Sequence, residues 1–208
     1  MRMACCLLAG GQGQRMGQGD KGLIQIDGQT ILDSLIERFS HHSPLLLNAN
    51  GDATRFERFD IPVIPDEVAG FQGPLAGIHA ALSYLATHHP TVSHCLIIPT
   101  DAPFLPSNLG DICADHLTMA PLISVMSNGR THPVIGLWPV SVLPQLTTAL
   151  CDRDVRKIDA FTAEIGCHYV PFDETPDPFL NLNRPADLAR LQEAGHHQID
   201  LAFFQQSK

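Results

Sequence analysis

The chain contains no apolar run long enough to cross a bilayer, so an ordinary membrane-spanning helix is excluded. None of its six cysteines forms a Cys-x-x-Cys pair, which leaves zinc-ribbon and thioredoxin-type redox sites without support. Positive charge is scarce: 13 Lys and Arg stand against 22 Asp and Glu, a net charge of −9. That balance excludes a general nucleic-acid-binding surface. Repeats and low-complexity linkers are missing as well. The first eight residues look superficially like a signal start, but glycines and charge follow at once. They read instead as a buried first strand of a cytoplasmic protein with reduced thiols. Among the eleven histidines, the adjacent pairs at 41–42, 88–89 and 196–197 read as solvated surface rather than zinc ligands.

What the chain does have is a glycine-rich loop directly after an apolar strand: Leu8-Ala9-Gly10-Gly11, then Arg15-Met16-Gly17, then Asp20-Lys21-Gly22. Glycines let the backbone approach a ligand closely and turn its amide N–H groups toward oxygens. Arg15 and Lys21 add full positive charge where phosphate charge would sit. The loop is neither of the two common phosphate motifs. Lys21 is followed by Gly22 rather than Ser or Thr, and the Gly11, Gly13 and Gly17 spacing misses the dinucleotide fingerprint by one residue.

Apolar runs alternate with helical patterns, which predicts βαβ units and an α/β fold: three Rossmann-like layers around a mostly parallel central sheet. Strands are expected at 3–8, 44–48, 62–64, 93–100, 121–126, 133–138 and 167–170, with a short extended piece at 22–26. Helices are expected at 31–39, 53–58, 75–85, 106–117, 142–150, 155–164 and 185–194. Asn128-Gly129 marks a hairpin turn. The length suits one domain over residues 1–195, with a nucleotide-binding part to about 110 and an acceptor-side part beyond it. The tail at 196–208 has no assigned role.

Parallel strands deliver their C-terminal ends to one edge, where ligands bind. That edge collects Gly10 and Gly11, Asn48, Asp66 and Asp101. Asp101 follows a buried strand and either holds Mg²⁺, which favours one or two carboxylates plus phosphate oxygens, or opens a turn before Pro103. Asp66 either accepts hydrogen bonds from a base or ribose or is a turn residue, and Asn48 either contacts a base or ribose or caps its strand. Gly73-Pro74-Leu75-Ala76-Gly77 enters a helix whose N-terminus either faces an anion or simply packs. On the acceptor side, His132 is an acid, a ligand contact or a packed imidazole; Asn181 points into the cleft, while Asn183 caps the last helix.

Together these strings resemble the nucleotidylyltransferases, specifically the molybdenum cofactor guanylyltransferase family, in order and over about residues 4–194. The resemblance implies transfer of GMP from GTP to a molybdopterin-type cofactor, with pyrophosphate released and Mg²⁺ assisting. It implies a nucleotide bound by Leu8, Ala9, Gly10, Gly11, Lys21, Asn48, Asp66 and Asp101, with Asp101 also holding the metal. Arg15, Lys21 and Asp101 carry the catalysis in this reading; Gly77, His132, Asn181 and Asn183 face the acceptor. Cofactor-donor proteins and molybdoenzymes are the implied protein partners, with neither nucleic acid nor membrane involved. The rivals are a cytidylyl- or sugar-phosphate nucleotidylyltransferase and a non-catalytic nucleotide-binding cofactor carrier. The final helix opens Arg184-Pro185-Ala186 where the family often has Thr-Pro-Glu, and the tail lies outside the match.

Overall fold

The computed structural model describes residues 2–9, 20–68, 70 and 73–182. Nine strands and five α-helices occupy them. The strands are β1 (Met3–Leu8), β2 (Gln25–Ile26), β3 (Gln29–Thr30), β4 (Leu45–Asn48), β5 (Val63–Ile64), β6 (His94–Pro99), β7 (Leu122–Ser127), β8 (Arg130–Pro139) and β9 (Cys167–Phe172). The helices are α1 (Ile31–Phe39), α2 (Pro74–His88), α3 (Leu109–Ala114), α4 (Leu143–Cys151) and α5 (Ile158–Ile165).

Seven strands form one sheet in the order β5-β4-β1-β6-β8-β7-β9, and β2 and β3 form a small hairpin apart from it. The β5–β4, β4–β1, β1–β6 and β7–β9 pairs are parallel. Only β8 runs against its neighbours β6 and β7. The sheet is therefore mostly parallel, as the alternating pattern implies, and its C-terminal edge gathers the ends of β1, β4, β5 and β6.

Strand alternation builds the three layers. Cys5 and Leu7 of β1 pack into one core with Leu32, Leu35 and Phe39 of α1 and with Leu109 and Cys113 of α3. Ala4, Cys6 and Leu8 pack into the other, with α2, α4 and Phe161 of α5. Adjacent cysteines thus belong to different layers. All six cysteines are free, and burial pushes the Cys6 and Cys113 thiols up to about 12, far from thiolate chemistry.

The α1 helix starts at a capping box. The Thr30 hydroxyl accepts from the Asp33 N–H at 3.1 Å, and the Asp33 carboxylate accepts from the Thr30 N–H at 3.1 Å. Such a cap contributes about 1 kcal/mol. It fixes where the segment after Lys21 turns back onto the sheet.

Four local expectations change. Residues 21–23 form a 3₁₀ turn rather than extended chain, because Leu23 and Ile24 donate three residues back to Asp20 and Lys21. The helix expected at 106–117 is only Leu109–Ala114; beyond it His116 and Leu117 bond three residues back, which tightens the helix into turns. The helix expected at 53–58 is a 3₁₀ segment, Ala53–Phe59, whereas the hairpin turn expected at Asn128-Gly129 is present: Ser127 pairs with Arg130, and Asn128 and Gly129 both take left-handed φ, 48° and 73°. The helix expected from 155 begins at Ile158. The helix expected at 185–194 and the tail lie outside the described residues.

Candidate active site

Backbone pairing sets the rim. The Ala9 N–H donates to Asn48 O at 2.9 Å, and the Thr100 N–H donates to Leu8 O at 3.1 Å. Leu8 is thereby held between the ends of β4 and β6, with its side chain packed on α2. Gly10, Gly11 and Arg15 lie outside the described residues.

The structure brings Asn48, Asp66 and Gly77 into one cluster. Asn48 is almost fully buried, and its Nδ2 donates to Ile64 O at 3.1 Å and to Asp66 Oδ1 at 3.0 Å. Asn50 completes the arrangement: its Nδ2 donates to Asp66 Oδ2 at 2.8 Å, and its Oδ1 accepts from the Asp66 N–H at 2.8 Å. Two asparagines therefore fix one carboxylate at both oxygens, which leaves its remaining lone pairs at set angles for donors on a ligand. Gly77 is in contact with Asn48 itself. A Cβ there would lie 3.0 Å from Asn48 Cγ, and closer still to Oδ1.

A second cluster forms around Asp101. Gly22 lies so close to α1 that a Cβ would meet Leu32 Cγ at 2.8 Å; this close approach seats the 3₁₀ turn on the rim. Lys21 Nζ then stands 3.9 Å from Asp101 Oδ2. Burial raises the Asp101 carboxyl above its usual range, against the pull of the Lys21 ammonium. Its Oδ1 is buried and finds no hydrogen-bond partner among the described residues, and the same holds for Asn181 Oδ1. The Leu182 N–H donates to Asp101 O at 2.8 Å, so the segment carrying Asn181 is anchored on Asp101.

A buried, unpartnered carboxylate oxygen is what a hard divalent cation takes, and Asn181 offers a second hard oxygen. Among the described residues no group of three or more His, Cys, Asp or Glu could hold a metal on its own. The donor set thus fits a hard divalent cation held by one or two protein oxygens, not a soft-metal cage built from the described residues.

The acceptor-side residues form a third group. His132 Nε2 lies 2.8 Å from Ser127 Oγ, which donates to Asp177 Oδ2 at 3.0 Å. With the serine proton given to the carboxylate, His132 Nε2 is the donor to Ser127. Burial holds the His132 imidazole below its usual pKa, with Arg130 adding to the depression and Asp177 opposing it. The ring stacks on Phe179 at 5.4 Å, two residues before Asn181. Asn183 lies outside the described residues. Asn50, Ser127 and Asp177 were not legible as site residues. Asn50 had a weak signal, two positions after Asn48 in an extended segment, whereas Ser127 and Asp177 had none.

Comparison with known proteins identifies the family and the fold. A MobA-like NTP transferase domain matches residues 5–165. A molybdenum cofactor guanylyltransferase of Rhodopseudomonas palustris is 44% identical over 200 residues, covering 93% of this chain and 92% of the relative. The chain belongs to the molybdenum cofactor guanylyltransferase family. Like other members of that family it is a nucleotidyltransferase, an enzyme of molybdenum cofactor biosynthesis. The molybdopterin-guanine dinucleotide biosynthesis protein A of Archaeoglobus fulgidus shares the fold with a TM-score of 0.74 at 22% identity, over 92% of this chain and 98% of that one. A Mycobacterium tuberculosis protein solved in complex with manganese shares it with a TM-score of 0.66 at 17% identity, over 93% and 98%. Among the described residues no helix is long and apolar enough to cross a membrane.

Proposed function

We propose that this guanylyltransferase moves GMP from GTP onto the terminal phosphate of a molybdopterin-type cofactor. An acceptor phosphate oxygen attacks the α-phosphorus in line, the bond from that phosphorus to the bridging oxygen breaks, and pyrophosphate leaves. The nucleophile is already an anion, so no general base is needed. The task is to bring two polyanions together and to neutralise the leaving group.

The observation that carries this reading is the Lys21–Asp101 pair, with a buried carboxylate oxygen left over for a cation. Mg²⁺ bound at Asp101, with Asn181 beside it, supplies charge neutralisation at the phosphates. Lys21 and Arg15 hold the β- and γ-phosphates with the amides of Gly10 and Gly11. Asp66, fixed by Asn48 and Asn50, accepts hydrogen bonds from the base or ribose. Leu8 and Ala9 set the backbone floor beneath the nucleotide. His132 and Asn181 face the acceptor, a role the sequence also offers to Asn183. The reaction takes place in the cytoplasm, between cofactor-donor proteins and molybdoenzymes.

The test is pyrophosphate release from GTP, ATP, CTP and UTP, with and without molybdopterin. Release from GTP that depends on both acceptor and Mg²⁺ is expected. CTP outperforming GTP would transfer the protein to the cytidylyl branch, and GTP binding with no release in the presence of loaded pterin would make it a carrier.

A further inference from the structure

Arg55 carries none of the motifs, yet it connects the two halves of the nucleotide site. It sits in the 3₁₀ turn Ala53–Phe59, just beyond β4. Its Nη2 donates to Asn50 O at 2.6 Å, its Nη1 donates to Asp52 O, and its Nε pairs with the Asp20 carboxylate. Gly51, at φ +82°, makes the turn that presents the Asn50 and Asp52 carbonyls to the same guanidinium. Asp20 directly precedes Lys21, and Asn50 holds Asp66. A single planar fork therefore joins the segment that fixes Asp66 to the segment that aims Lys21 at Asp101.

The pair also settles a charge problem. Asp20 is a carboxylate beside the lysine meant for phosphate, in a protein of net charge −9. Left unpaired, it would compete for Lys21 and repel a triphosphate. Paired with Arg55, it is neutralised.

Resting on the nucleotide reading above, we propose that Arg55 is a positioning residue for GTP: it clamps the exit of the glycine-rich loop to the Asp66-bearing rim and cancels the Asp20 charge. Charge cancellation gives this proposal a signature that direct contact with the nucleotide lacks. Arg55→Ala leaves Asp20 exposed to the phosphates, whereas Asp20→Asn removes the pair and the charge together.

Full-length wild type, Arg55→Ala, Asp20→Asn and the double variant are compared by equilibrium dialysis with GTP and Mg²⁺, and by steady-state kinetics. Arg55→Ala is expected to weaken GTP about tenfold or more, mostly in KM rather than kcat. Asp20→Asn is expected to cost no more than about fivefold, the scale of a partly exposed ion pair. The double variant returns to the Asp20→Asn level. A double variant whose loss is the product of the single losses overturns the proposal, as does wild-type affinity in Arg55→Ala. Should Arg55→Ala fail to fold, Arg55→Lys serves in its place: it restores charge but not the three-point grip, and is expected to bind GTP severalfold more weakly. Wild-type affinity in Arg55→Lys overturns the clamp. Wild-type protein that binds no GTP overturns the functional reading itself, and the clamp with it.

Discussion

Gly77 and Asn48 are in direct contact across the α2–β4 interface: a Cβ at residue 77 would stand 3.0 Å from Asn48 Cγ and 3.2 Å from Leu8 Cδ2. Gly77→Ala gains helix propensity, up to about 1 kcal/mol, and displaces the side chain that fixes Asp66. The two effects oppose each other in stability and do not oppose each other in function. The expected result is a melting temperature within a few degrees of wild type, with the KM for GTP raised about tenfold. Calorimetry and steady-state kinetics on one preparation check both.

Asp101 and Lys21 separate along the same two axes. The Asp101 carboxyl is held above its usual range by burial, so its ionised form costs stability at neutral pH. Asp101→Asn is expected to abolish Mg²⁺-dependent turnover while melting no lower than wild type in EDTA. Lys21→Ala is expected to reduce turnover about a hundredfold, the scale of losing one fixed electrostatic partner. Substantial Mg²⁺-dependent transfer by Asp101→Asn would remove the metal from that residue.

His42 governs stability in acid. Burial, with a further push from His41, lowers its imidazole from 6.5 to about 4, although Asp111 pulls the other way. The unfolded chain takes up the proton near 6.5 and the folded chain only near 4. Between those values the unfolded state binds more protons, so stability falls as pH drops through this window, by roughly 1–3 kcal/mol. Burial lowers His79, His94 and His132 in the same direction. Urea midpoints at pH 7 and pH 4.5 are expected to differ less in His42→Gln than in wild type; an equal difference removes His42 from the effect.

The Ser127 hydroxyl bridges His132 and Asp177 at 2.8 and 3.0 Å. Ser127→Ala leaves both partners short of a bond, about 1–3 kcal/mol in stability. It loosens the segment that carries Asn181 without touching Asn48 or Asp66. The KM for the pterin acceptor is therefore expected to rise about tenfold while the KM for GTP stays put. Equal increases in both constants would detach this network from the acceptor side.

The layers and the sheet's C-terminal rim were legible because hydrophobic period and strand order follow from short-range chemistry. Apolar runs name the strands, and the parallel rule sends their C-terminal ends to one edge, which suffices to bring Asn48, Asp66 and Asp101 together. Direction is different. The buried second half of β8, residues 135–139, is as apolar as a parallel strand, and the Asn128-Gly129 turn is what indicates a reversal. The pairings of Asn50 and Arg55 were not legible for another reason: their partners, Asp66 and Asp20, stand in recognisable strings, but they lie 16 and 35 positions away, and no local pattern joins the two ends of such a contact. The 3₁₀ turn at Lys21 depends on the space that Gly22 leaves against Leu32, which is a property of packing rather than of propensity.

The reversed course of β8 shapes how this architecture can diversify. Where its neighbours finish, β8 is starting, so the half of the rim nearest His132 is capped by a tight two-residue bend instead of a crossover. Insertions at that bend lengthen a free-standing arch while the helices behind the GTP half keep their seats. One side of the cleft can thus be re-tailored to a new partner molecule at little cost to the machinery opposite.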